Sequence, residues 1–182
     1  VSALGALKGL EAQRPAVLWY DAHGDFNTWE TTPSGFIGGM PLAMLVGRGD
    51  LQYLRGIDLT PLAEDDIVIT DARDLDPQEA VALGESRVTH LPKVEDLLAA
   101  PLPDKPLYIH MDVDVIDPSK MPGLGYPAPG GPSVEQVLAT LRRVIKERPL
   151  AGMLFSLWDQ SKVTDERALQ AVLRMVRTVA GT

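Results

Sequence analysis

The sequence predicts an α/β fold with a mostly parallel sheet covered on both faces by helices, and three observations predict it. Short apolar runs recur near residues 17–20, 67–70 and 107–111, with the length and the β-branched and aromatic content of strands buried on both faces. Segments of helical period alternate with them, which is the pattern of βα units. Each run then breaks into Asp-rich sequence at its carboxyl end, where sheets of this kind gather their sites.

The elements follow in order. Leu4, Leu7 and Val1 share a helical stripe over residues 1–10, which ends at Gly9 or in the polar turn 11–15. A strand at 16–20 comes next. Residues 26–40, rich in Thr, Pro, Ser and Gly without steady periodicity, read as a functional loop. Pro41 opens a short helix over 42–46, stopped by Gly47 and Gly49. The strand at 67–70 runs into Asp71-Ala72-Arg73-Asp74-Leu75-Asp76-Pro77 and a helix beginning near Gln78 and Glu79. Residues 88–90 predict a short strand and about 94–99 a helix, before a Pro-rich link at 101–106 and a strand at 107–113. Ser133 with Gln136 forms a capping box for a helix over 134–147, whose buried side carries Val137, Leu138, Leu141, Val144 and Ile145. A strand at 151–157, a loop at 159–162 and a helix at about 164–179 complete the chain.

A length of 182 residues with 45% hydrophobic and 23% charged content suits one globular domain, 1–182. The 17 Lys and Arg against 25 Asp and Glu give a net charge of −8, and no basic run is present, which argues against nucleic acid as a partner. No apolar run reaches membrane-spanning length, so no membrane partner is expected either. The absence of cysteine excludes disulfides and thiolate metal sites, and the first ten residues do not read as a signal peptide.

The chemistry concentrates in two motifs. In Asp21-x-His23-x-Asp25 alternate residues of an extended chain point the same way, so two carboxylates and an imidazole converge. In the second, Asp112 and Asp114 share one face, Met111, Val113 and Val115 take the other, and Asp117-Pro118 closes the segment with a turn. Four clustered carboxylates without a counter-charge would repel and take up protons, so a bound cation or two is the economical explanation. His110 has the same strand parity, but a His inside a buried strand is expected to satisfy a neighbouring hydrogen-bonding group rather than to ligate. His90 is expected on the surface or in a loop, and Trp19, Trp29 and Trp158 in core or loop packing.

Taken together, Asp21-Ala22-His23-Gly24-Asp25, Asn27, Ser34-Gly35 and Asp112-Val113-Asp114-x-x-Asp117-Pro118 resemble the ureohydrolase superfamily of arginase and agmatinase. Arg73-Asp74-x-Asp76-Pro77-x-Glu79 looks more like the arginase branch. The resemblance runs over essentially the whole chain and implies a three-layer α/β/α fold, with this chain corresponding to the C-terminal portion of the family fold. It further implies two Mn²⁺ ions bridged by a hydroxide that attacks a guanidinium carbon and releases urea. Oxygen ligands with imidazole suit Mn²⁺, and a two-metal clamp can lower the pKa of water towards neutrality. By this match Asp21, His23, Asp25, Asp112 and Asp114 are the expected ligands, with Asp21 and Asp25 bridging and Asp25 also catalytic. Asn27 and Ser34 resemble contacts to a substrate α-carboxylate, Asp76 the contact to its α-amine, and Glu79 a further polar position there. A cytoplasmic homo-oligomer, trimer or hexamer, is also implied.

Four positions depart from the family pattern. A sixth ligand, a His in a Gly-Gly-Asp-His stretch, belongs ahead of the helix at 1–10; Gly38 stands where a His is expected, Leu157 where a Glu grips guanidinium, and Tyr126 where a Thr is usual. Asp159, two residues beyond Leu157 with the same strand parity, is the candidate replacement for that Glu, its alternative use being to cap the loop before the last helix. The expected function is that of a binuclear Mn hydrolase acting on a linear guanidino or amidino compound, arginine to ornithine and urea being one such reaction. The alternative is a catalytically impaired, metal-binding homologue acting as a binding or assembly subunit. A sugar- or nucleotide-binding domain would need a glycine-rich phosphate loop, which the sequence lacks.

Overall fold

In the computed structural model, which describes residues 1–159, 161 and 165–181, five strands build one sheet. They are β1 (Ala16–His23), β2 (Ile67–Asp74), β3 (Thr89–Leu91), β4 (Leu107–Asp112) and β5 (Leu150–Ser156), in the spatial order β3-β2-β1-β4-β5. Every pairing is parallel. The chain therefore starts at the centre, builds outward through β2 and β3, then returns to the other side of β1 for β4 and β5. The crevice at the carboxyl ends of β1 and β4 is the topological switch point, where ligands bind in open α/β sheets.

Alternation along β1 shows how the layers form. Ala16, Leu18 and Tyr20 face α5 (Val134–Glu147) and α6 (Glu166–Ala180), in a core that includes Val137, Leu141 and Met175. Val17 and Trp19 face the other way, into a core shared with α1 (Ser2–Gly9), α2 (Pro41–Leu45), α3 (Gln52–Gly56) and α4 (Pro77–Gly84). Both faces of the sheet are thus buried, which is why its strands are apolar throughout rather than alternating. This is the three-layer α/β/α arrangement expected from the sequence. Among the described residues no helix is long and apolar enough to cross a membrane.

The capping box at Ser133 forms as expected, Ser133 N donating to Gln136 Oε1 (2.7 Å) and Gln136 N to Ser133 Oγ (3.3 Å). Elsewhere the structure corrects the sequence reading. β2 continues to Asp74 because a bulge, with left-handed backbone at Asp71 and Ala72, lets Asp74 pair with His23. Residues 94–98 form a 3₁₀ helix rather than an α-helix, and α3 was not anticipated. β4 ends at Asp112, and Val113–Val115 is a 3₁₀ turn, so Asp114 reaches the site by a turn and not by strand alternation. Part of the loop expected at 159–162 and the expected start of the last helix lie outside the described residues.

Arg73, at the end of β2, fastens this carboxyl edge. Its Nη1 donates to Asp71 Oδ2 and to Val115 O (both 2.9 Å), and its Nη2 to Asp114 O (3.2 Å) and Ala128 O (3.0 Å). Nε donates to Pro129 O (3.1 Å). Gly131, at φ +99°, leaves room for the guanidinium: a Cβ there would lie 2.7 Å from Arg73 Nη1 and from Val115 O. A lysine cannot reproduce this fork of donors. Arg73→Lys should therefore lower stability by about 2 kcal/mol or more, since several carbonyls lose a charged donor. Urea titration checks this, and an unchanged midpoint would mean that the clamp contributes nothing to stability.

Candidate metal centre

The strand ends deliver their side chains to one point. Asp21 and His23 come from β1, Asp112 from the end of β4, and Asp114 from the turn that follows. His23 Nδ1 lies 3.2 Å from Asp114 Oδ2 and 3.4 Å from Asp21 Oδ1. Backbone bonds hold the carboxylates: His23 N donates to Asp21 Oδ1 (2.8 Å), Ala22 N to Asp114 Oδ1 (3.3 Å) and Asp114 N to Asp112 Oδ1 (3.1 Å). Trp19 Nε1 adds a bond to Asp21 Oδ2 (3.1 Å), and Ser156 Oγ one to Asp112 Oδ2 (2.9 Å). Asp25 follows β1 in left-handed backbone at φ 51°, and its carbonyl accepts from Leu42 N (2.9 Å) and Ala43 N (3.2 Å), which anchors the amino end of α2.

The electrostatics are those of a site that needs positive charge. Burial, reinforced by Asp114, pushes the Asp21 carboxyl up to about 6 against the pull of His23. Burial and the neighbouring Asp21 push Asp25 and Asp112 well above the usual carboxylate range. Hydrogen bonding to Asp114 and Asp21 raises His23 to about 11, and burial lowers His110 to about 3.

The donor set fits metal ions. Two groups, Asp21 with His23 and Asp114, and Asp21 with His110 and Asp112, each bring one candidate ligand atom per residue within 4.8 Å of the others. Asp21 belongs to both. Asp114 is wholly buried, and the near partner of its Oδ2 is the His23 ring, 3.2 Å away. A divalent cation is a partner that both groups could share in place of the proton between them.

The cluster floors a cavity of about 530 Å³. Asp21, His23, Asp25 and Asp112 line it, as do Asn27, Ser34, Asp76 and Glu79; Asp114 is wholly buried and not among the lining residues. Asn27 Nδ2 donates to Asp76 Oδ2 (2.9 Å), and Asn27 Oδ1 accepts from Thr31 Oγ1 (2.9 Å). Glu79 directs its oxygens at the backbone, accepting from Phe26 N (2.8 Å) and Asp76 N (3.2 Å), so it holds the loop against α4. The described residues lining the cavity do not include Asp159, whose Oδ1 accepts from Ser161 N (2.9 Å) and Ser161 Oγ (2.6 Å) as a loop cap would.

The sequence reading gave no site role to Asp74 or Phe36 and named Gly38, Tyr126 and Leu157 as departures from the family pattern; all five line the cavity. Asp74, beside the Arg73-Asp74-x-Asp76 motif, lines the wall 3.9 Å from His23 Nε2. Phe36 and Tyr126 stack at 5.5 Å across the mouth, both half exposed. The Phe36 ring lies over Gly38, where a Cβ would come within 2.2 Å of it, so the ring fills the space that a side chain at 38 would need. Leu157, with left-handed backbone at φ 56°, adds a further apolar wall. His90, expected in an unremarkable polar setting, is half-buried on β3 with Nε2 2.9 Å from Asp71 O, and so serves the β2 bulge.

The comparisons with known proteins agree with this geometry. The Arginase family model matches residues 1–156. The chain is 35% identical over 167 residues to N(omega)-hydroxy-L-arginine amidinohydrolase of Streptomyces lavendulae, covering 90% of this chain and 58% of that protein. It is 34% identical over 148 residues to arginase of Bacillus subtilis, covering 74% of this chain and 50% of that protein. The crystal structure of Bacillus cereus arginase superposes with a TM-score of 0.89 at 26% identity, covering 99% of this chain and 68% of that one. The chain spans about half the length of the curated relatives it matches.

The raised pKa values have a sign. The folded protein holds protons on Asp21 between about pH 4 and 6 and on His23 up to about 11 that the unfolded chain has released, so metal-free stability falls as pH rises through both windows. Mn²⁺ needs those groups deprotonated, and its stabilisation grows in the same direction. The rise in Tm on adding Mn²⁺ should thus be larger at pH 8 than at pH 5 and be reversed by a chelator. Calorimetry at the two pH values decides this, and an equal or absent shift would contradict the metal reading.

Proposed function

The chain belongs to the arginase family, and from that premise we propose that it is a Mn²⁺-dependent hydrolase that cleaves a C–N bond in a linear guanidino or amidino compound with a free α-amino-acid end. The observation that carries the proposal is that two Asp/His groups sharing Asp21 border a cavity that Asn27, Ser34 and Asp76 also line. Asp21, His23, Asp25, Asp112 and Asp114 hold two ions. When bound, the ions supply the Lewis acidity that makes water a nucleophile near neutral pH.

The chain's own groups do the rest. Asp76 pairs with the substrate ammonium, while the Asn27 amide and Ser34 hydroxyl bind its carboxylate, which fixes the distance from the amino-acid end to the reacting carbon. That carbon gains the oxygen of water and its bond to the chain nitrogen breaks. The Asp25 carboxylate, beside the attacking water, takes the water's proton and returns it to the departing nitrogen. Glu79 acts through Asp76 and Phe26, keeping the shelf in place. Phe36, Tyr126 and Leu157 add apolar and aromatic wall to the cavity, and the Streptomyces lavendulae relative is named for a modified arginine. Asp159 is the remaining candidate to meet the substrate cation, and Asp159→Ala tests it through kcat/KM with metal content as the control.

A second reading, a binding subunit with impaired catalysis, draws support from Leu157 and from the Phe36 ring over Gly38. One assay separates the two. With Mn²⁺ bound, a panel of linear guanidino and amidino amino acids should yield urea or ammonia from at least one member. Asp76→Asn should then raise KM for it about 10- to 100-fold, the equivalent of losing a hydrogen bond to a charged group. No product from any compound would leave the binding-subunit reading.

A further inference from the structure

We infer that His110 is itself a metal ligand, completing with Asp21 and Asp112 a second cation position beside that of Asp21, His23 and Asp114; the inference rests on reading the cluster as a metal centre. One imidazole nitrogen of His110 and one oxygen each of Asp21 and Asp112 lie within 4.8 Å of one another. The ring is buried, yet it borders the cavity. Trp19 stacks on it at 3.6 Å with the planes 9° apart, and the same Trp19 donates its Nε1–H to Asp21, so one indole orients two members of the group.

A hydrogen-bonding role alone leaves the ring half satisfied. Ser156 Oγ lies 3.0 Å from Nε2, but Nδ1 has no partner among the described residues, and a buried ring nitrogen is rarely left so. Ser156 also bonds Asp112, so hydroxyl, imidazole and carboxylate form one chain leading to the cluster, the outer support that metal-bound groups commonly have. Charge points the same way. The four carboxylates of Asp21, Asp25, Asp112 and Asp114 match two divalent cations, and a neutral imidazole adds a ligand without disturbing that balance.

The test uses Mn²⁺ alone, with equilibrium titration of the purified chain. The wild type should bind two equivalents and His110→Asn one. Ser156→Ala, which removes only the supporting bond, should keep both, with the weaker one loosened by about 10- to 100-fold at most. Adding imidazole to His110→Gly should restore the second equivalent. The chain has three histidines, and His90 is occupied at Asp71 O, so pulsed EPR of the Mn²⁺-loaded His23→Asn variant gives an independent reading should the His110 variants fail to fold. A directly bound ¹⁴N signal with the quadrupole parameters of an imidazole, rather than of the Val1 amine that also lines the cavity, can come there only from His110. Two equivalents in His110→Asn, equal losses in His110→Asn and Ser156→Ala without imidazole rescue, or no ¹⁴N signal in His23→Asn would each overturn the inference while leaving the metal centre standing. A wild type that binds no Mn²⁺ would overturn the metal centre as well.

Discussion

The structure depends on crowding four carboxylates into the crevice between the ends of β1 and β4. Like charges at such distances in a buried setting raise one another's pKa values, and those of Asp21, Asp25 and Asp112 are all raised, with burial the largest cause and carboxylate neighbours adding to it. A fold with no use for a cation would gain stability by replacing any of them. Three of the four, Asp21, Asp112 and Asp114, accept backbone N–H bonds, and two imidazoles lie within reach of the cluster, a donor set that fits a divalent cation. His23 in its protonated form, between Asp114 and Asp21, is the internal stand-in for that charge.

The rest of the fold makes this crowding affordable. Strands buried on both faces supply a rigid floor, and the parallel topology puts all their carboxyl ends on one edge. Departures from regular geometry collect on that edge: left-handed backbone at Asp25, Asp71, Ala72 and Leu157, and the 3₁₀ turn carrying Asp114. Residues in such conformations persist where their surroundings over-determine them. Arg73 is that surrounding for the β2 bulge and the 113–115 turn, and His90 braces the same bulge from β3.

Much of this was legible in the residues. The apolar runs of β1, β2 and β4 and the capping box of α5 are strong local signals, and the Asp-x-His-x-Asp spacing survives any small error in strand bounds. Signals failed where the deciding partner lies far along the chain. α3 is five residues long with only Leu54 buried, too short for a period to show. Val113 and Val115 look like the inner face of a strand, which carried the reading one residue past the end of β4 and its alternation on to Asp114. His110 could not be told from an ordinary core histidine, because what distinguishes it, Trp19 on β1 and Ser156 on β5, is sequence-remote and meets it only through strand register. Phe36 over Gly38 is equally invisible, since it depends on how an irregular loop folds back on itself.

The central claim is that the β1/β4 crevice is a cation site organised around Asp21. Anomalous diffraction from crystals equilibrated with Mn²⁺ tests it most directly, because it locates the ion irrespective of catalysis. The account predicts anomalous peaks on the two sides of the Asp21 carboxylate, one bonded to His23 and Asp114 and the other to Asp112. Crystals with Mn²⁺ in the solvent and no peak within bonding distance of Asp21 would contradict it.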